Sequence, residues 1–130
     1  MKLILTLIIA TLLLITSCNK IIEPKNKGLS EITKIEQRWS DGIKVAESTP
    51  RIGLSSQVKD LQTIKRDLDA VEVSNCIKEA KVALSKHMEL TIDGLIAFMR
   101  SEEETSIQLM HEGGEQLSAY RKARDKCSSR

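Results

Sequence analysis

Three cysteines, two histidines and a cluster of acids are the groups in this chain that could do chemistry. The cysteines stand at Cys18, Cys76 and Cys127, and the histidines at His87 and His111. A helix that holds zinc needs two imidazoles four residues apart on one face. His111-Glu112-Gly113-Gly114-Glu115 has the first imidazole and the glutamate beside it, but Glu115 stands where the second imidazole would be. Two glycines also weaken that helix, so no metal site is expected. His87 falls beside a helical apolar stripe and reads as a histidine at the rim of a core. Glu102, Glu103 and Glu104 cannot converge as catalytic carboxylates, because adjacent residues on a helix point in different directions. They read as a solvated first turn. The basic stretch from Tyr120 to Lys126 reads as the last turns of a helix rather than a phosphate or glycan site. No nucleophile elbow, phosphate loop or dinucleotide fingerprint is present. The expectation is a protein that is not an enzyme and takes no metal or organic cofactor.

The elements that carry these groups are helical. Isoleucine, leucine, valine and alanine recur every three or four residues, and no segment alternates with the period of a strand. Apolar positions Ile32, Ile35, Trp39, Ile43 and Ala46 predict a helix over 31–48, with Ser30 as its cap. Pro50 disfavours helix in the residue before it, so 49–53 should be a break. Ser55 or Ser56 would cap a second helix running to Val73, and Ser74 a third, with Ile77, Ala80, Leu84, Met88, Thr91, Leu95 and Phe98 as its stripe. The connection from Thr49 to Ser56 sets Arg51 beside Ile52 and Leu54. These three form a candidate contact loop. The structural alternative is that Ile52 and Leu54 plug the end of a bundle. Lys+Arg number 20 and Asp+Glu 18, a balance that argues against nucleic acid as a partner.

The first cysteine has a different setting. Met1-Lys2 gives a positive start, and Leu3 to Ile15 is apolar except for Thr6 and Thr11. That run is short of the ~20 apolar residues of a membrane-spanning helix, but has the length of the apolar part of a signal peptide. It ends Ile15-Thr16-Ser17-Cys18. This resembles the lipobox of bacterial lipoproteins, with Ile15 where leucine is usual and Thr16 where alanine or serine is commoner. The resemblance covers only the first twenty residues. It implies that the Cys18 thiol receives diacylglycerol, that the chain is cut before it, and that the new amine is acylated. It therefore divides the chain into a signal peptide at 1–17, a lipidated cysteine and flexible tether at 18–29, and a bundle domain at 30–130. Asn19 in place of aspartate implies the outer membrane, facing the periplasm. Lys20, Lys25 and Lys27 would then stand near the headgroups, although a solvated linker reads equally well.

A lipoprotein of this kind has its folded part in an oxidising compartment. The resemblance thus makes Cys76 and Cys127 a disulfide candidate. Such a bond requires the last turn to lie midway, near Ser101. Ser101-Glu102-Glu103-Glu104 has the form of a capping box, and the acids suit the positive end of a helix dipole. In that register Ala80 would face Ala123, Leu84 Tyr120, His87 Leu117, Met88 Gly114 and Leu95 Ile107. A turn at Gly113-Gly114 is the rival, and it would forbid the disulfide.

The expected fold is all-α, an up-and-down four-helix bundle with one disulfide. The expected role is that of a membrane-anchored binding module acting on a protein partner in the envelope, of immunity, inhibitor, phage-exclusion or envelope-stress type. A structural spacer of the outer membrane is the alternative. Oligomeric state is left open.

Overall fold

The computed structural model describes residues 24–128; Cys18 and the whole of the leader lie outside them. Among the described residues four helices follow one another: α1 (Leu29–Glu47), α2 (Leu54–Ala70), α3 (Asn75–Met99) and α4 (Glu103–Ser128). A 3-10 turn, Arg51–Gly53, leads into α2. The chain runs up and down. The start of α1 lies against the connection from α2 to α3, where Ser74 donates its backbone N–H to the Lys27 carbonyl. At the opposite end Arg51, before α2, reaches Ser101, between α3 and α4. Cys76 and Cys127 are joined by a disulfide, with Cα atoms 5.7 Å apart, so the end of α4 returns to the start of α3.

The core follows from the stripes. Ile32, Ile35 and Trp39 from α1 meet Val58, Leu61 and Leu68 from α2, and Ile77, Leu84 and Met88 from α3. Tyr120, Ala123 and Cys127 complete it from α4. Burying each large apolar side chain stabilises the fold by about 1.5–3 kcal/mol relative to leaving it exposed.

Helix ends differ from the sequence expectation. Gly28, not Ser30, caps α1, in the left-handed region at φ 83°. A Cβ there would lie 2.5 Å from the Glu72 carbonyl oxygen, so only glycine fits. The stretch expected to be a plain tether is ordered at its end: Lys27 closes a turn onto the Pro24 carbonyl, and the Ser74 hydroxyl donates to the Lys25 carbonyl. Ser74 holds its expected place before α3, but that bond to Lys25 replaces a bond to its own helix. Gly53 precedes α2, so neither Ser55 nor Ser56 caps it. Helix α2 stops at Ala70, where Val71 turns extended, three residues before the expected end. Lys81 from α3 donates to the Asp69 and Val71 carbonyls there, satisfying acceptors that the helix end leaves open. The Asp69 carboxylate takes bonds from Lys65 and Ser85. Its partial burial opposes ionisation, but these bonds outweigh that and hold it below the usual carboxylate range.

The turn between α3 and α4 is where the disulfide required it, for a different local reason. Ser101 is left-handed, at φ 65°. Its N–H bonds to the Phe98 carbonyl and the N–H of Glu102 to the Ala97 carbonyl, the paired bonds of a Schellman ending. The Ser101 hydroxyl accepts from Arg51 instead of capping α4, so the capping box does not form. Helix α4 runs unbroken through Gly113 and Gly114, which removes the rival turn.

Candidate functional site

Two of the regions outside the core bear on the residues singled out in the sequence. The first is the end of the bundle that holds Arg51 and Ser101. The Arg51 guanidinium donates to the Ser101 hydroxyl at 2.9 Å, lies 3.6 Å from a Glu103 carboxylate oxygen, and stacks 4.2 Å from the Phe98 ring centroid. It therefore fixes the 3-10 turn onto the α3–α4 turn. Ile52, held next to it, is 96% exposed. Leu54 is 2% exposed and belongs to the core. The expected contact loop divides accordingly: Arg51 positions, Ile52 projects, and Leu54 plugs the bundle end and is no contact residue. Ile52 plugs nothing. The two apolar residues lie on either side of the start of α2, and only Leu54 is turned inward by the helix.

The second region is a groove between α1 and α4, floored by α3. It encloses about 340 Å³. Trp39 and Ile43 form one side, Leu117 and Met110 the other, and Leu84, His87 and Thr91 the floor. The groove lies where α1 packs closely on α2 and stands off α4. At one end a polar clasp bridges the two helices. The Tyr120 hydroxyl donates to Glu36 at 2.7 Å, and Arg124 lies 3.7 Å from the same carboxylate oxygen and 5.3 Å from the Tyr120 ring centroid. Burial, then the Glu36 carboxylate, pushes the Tyr120 phenol up to about 12, so it stays a donor.

His87 joins the two helices below the groove. Its Nδ1 lies 2.8 Å from the Gly113 carbonyl oxygen, and its ring meets Trp39 edge-on with centroids 6.0 Å apart. A carbonyl only accepts, so Nδ1 carries the proton and Nε2 is left an acceptor. Burial holds the His87 imidazole below its ordinary value; the Gly113 bond and Glu36 oppose this, and Arg121 adds to it. His111 is exposed on α4, 3.9 Å from Glu115, and does not meet His87. No group of three or more metal-ligating side chains forms among the described residues.

The glycine pair on α4 separates the two sides of the helix. A Cβ on Gly113 would touch Thr91, the Leu90 Cβ and the His87 carbonyl at 3.4–3.6 Å, so its smallness lets α4 approach α3. A Cβ on Gly114 would meet nothing within 4 Å. Gly114 has no left-handed φ either, and a helical glycine costs about 1 kcal/mol against alanine. Gly114 lines the groove. The expected pairing of Met88 with Gly114 is thus replaced by Gly113 against Leu90 and Thr91. The pairing of Leu95 with Ile107 fails as well, since Ile107 is 71% exposed. Ser106 occupies that layer, its hydroxyl bonded to the Gly94 carbonyl at 2.8 Å. The register along the hairpin is as the disulfide demands, but α4 is rotated about its axis relative to the expected facing.

Sequence reasoning set His87 beside a core stripe but missed the groove. Trp39 and Tyr120 were legible as large core residues; their bracing apart of α1 and α4 was not. No family model, curated protein or solved structure matches the chain. What the described residues define is a class: a small helical bundle with a Cys76–Cys127 disulfide.

Proposed function

We propose that this protein is a lipid-anchored interaction module of a bacterial cell envelope, moored through Cys18 and offering the Arg51–Ile52 end of its bundle to a protein partner. The observation that carries the reading is the Cys76–Cys127 disulfide. Such a bond persists in an oxidising compartment, which is where a chain with the lipobox-like Ile15-Thr16-Ser17-Cys18 would be delivered. The bond lies at the same end as residues 24–28, through which the anchor would enter. The 25 residues of α3, at ~1.5 Å each, span about 37 Å. Ile52 is therefore displayed at the end of the body away from the membrane, where a partner could reach it. Its exposure has no structural return in the bundle itself, and Arg51 spends three interactions holding the turn that carries it.

The anchoring half is tested by palmitate labelling with and without globomycin, in parent and Cys18→Ser chains. Label in the parent, its absence in the variant, and accumulation of the uncut form under globomycin are expected. An unlabelled parent with all three thiols titratable would overturn it. The partner half is tested with a photo-crosslinker at position 52 and a control at exposed Val82 on α3. A discrete adduct from position 52 alone is expected, and equal or absent adducts from both positions would refute that half.

A further inference from the structure

The groove between α1 and α4 has a use of its own, independent of the anchor and of Ile52. We propose that it binds a small amphipathic carboxylate, an apolar chain lying along Trp39, Ile43 and Leu117 with its acid group at Arg121. Four observations converge. The volume of about 340 Å³ falls at the small end of the range for ligand sites, roughly 300–1,000 Å³. The groove is elongated: from Met110 to Arg121, two of its lining residues, α4 rises roughly 16 Å at about 1.5 Å per residue. A chain-shaped ligand fits this better than a disc.

Two opposite charges stand at the clasp end of the groove, and they are unequally engaged. Arg121 lines the groove and makes no ion pair among the described residues. Glu36, the acid on the groove's rim, is already engaged by Tyr120 and Arg124. An incoming anion therefore finds a cation with no competing partner, and an incoming cation finds a carboxylate already satisfied. Guanidinium also matches a carboxylate with two parallel N–H donors. Burial disfavours protonation of His87, so the floor adds no charge of its own.

Gly114 supplies the fourth. No turn, positive φ or close approach calls for glycine there. Its missing side chain leaves space, and the space is the groove. Met110, one turn earlier on α4, bounds the groove with its side chain packed onto Gly94 of α3.

Trp39 is the one tryptophan of the chain and forms a wall of the site, so its emission reports occupancy. The experiment uses the full chain bearing Cys18→Ser, so that no covalent acyl group competes. Octanoate, octanol and octylamine are titrated against Trp39 fluorescence. Octanoate should give a saturable change, with the alcohol and the amine at least about tenfold weaker, the scale of a lost charge-assisted pair. Arg121→Glu should weaken octanoate by about the same factor. Gly114→Leu should abolish the response while leaving thermal unfolding no lower, because its side chain enters open space on a helix. Absence of a saturable octanoate response overturns the proposal. So does equal affinity for the three probes, or octanoate binding unaffected by Gly114→Leu. None of these outcomes bears on lipidation or on the position 52 adduct.

Discussion

The seam between α3 and α4 and the seam between α1 and α4 are built on opposite principles. The first uses small residues. Gly94 accepts the Ser106 hydroxyl, Gly113 sits on Thr91 and Leu90, and the disulfide closes the far end. The backbones come close, and the open space of this seam, about 530 Å³, lies on its outer side between Val82, Ala83 and Ala119 rather than in the core. The second uses large residues. Trp39 and Tyr120 hold the helices apart, and a polar clasp at Glu36 bridges the gap without filling it. One face of α4 thus serves as a rigid joint and the next as the wall of a groove. A bundle can combine a fixed scaffold with an accessible site by changing side-chain size on adjacent stripes of one helix.

The comparison can be broken most severely at the disulfide. Replacing Cys76 and Cys127 together by alanine opens a link across 51 residues, which costs about 4 kcal/mol in the chain-entropy model. Urea unfolding of parent and variant measures this, and a loss below about 1 kcal/mol would mean that small-residue packing alone fixes the joint. Next is Gly113→Val. Overpacking a close-packed seam costs about 1–3 kcal/mol, so the variant should unfold at lower urea, and the bond from His87 to residue 113 should weaken in the imidazole NMR signals. Tyr120→Phe tests the clasp. Removing a hydrogen bond to a charged group costs about 2 kcal/mol, with Arg124 left to hold Glu36, and thermal unfolding should fall accordingly.

Gly114→Ala sharpens the contrast between the two faces. It should raise stability by about 1 kcal/mol, whereas the neighbouring Gly113→Val lowers it. The smallest effect is that of pH at His87. An imidazole held below its ordinary 6.5 binds a proton more readily unfolded than folded. Its contribution to stability is therefore complete above the ordinary value and is lost as pH falls from there toward the folded value. Arg121 and Glu36 flank it with opposite signs. His87→Gln should flatten the parent's decline in stability below neutrality, read from urea midpoints across the pH range.

Much of the architecture was legible in the chain. Four stripes of period three to four and a break at Pro50 are local patterns, and local patterns survive folding. The last turn was placed by the requirement that two cysteines meet, a long-range constraint carried by only two residues. The capping box at Ser101 misled because the same residue types serve either side of a turn. Ser101 ends α3 and receives Arg51, a partner fifty residues away. Facing across α3 and α4 was misjudged by about one position, Gly113 for Gly114, since neighbours on a helix lie 100° apart and a stripe of mixed sizes has no sharp centre.

By itself the sequence determined the helical class and the succession of helices and breaks, because periodicity and breakers depend on residue order; the disulfide it offered only through the lipobox-like resemblance, with the turn at Gly113-Gly114 still a rival. Only the tertiary structure decided which glycine would be squeezed and which left open, which half of the Arg51–Leu54 turn would be buried, and how far apart α1 and α4 would stand. Those outcomes follow from the volumes of side chains meeting across helices, and volume becomes informative only once the neighbours are in place.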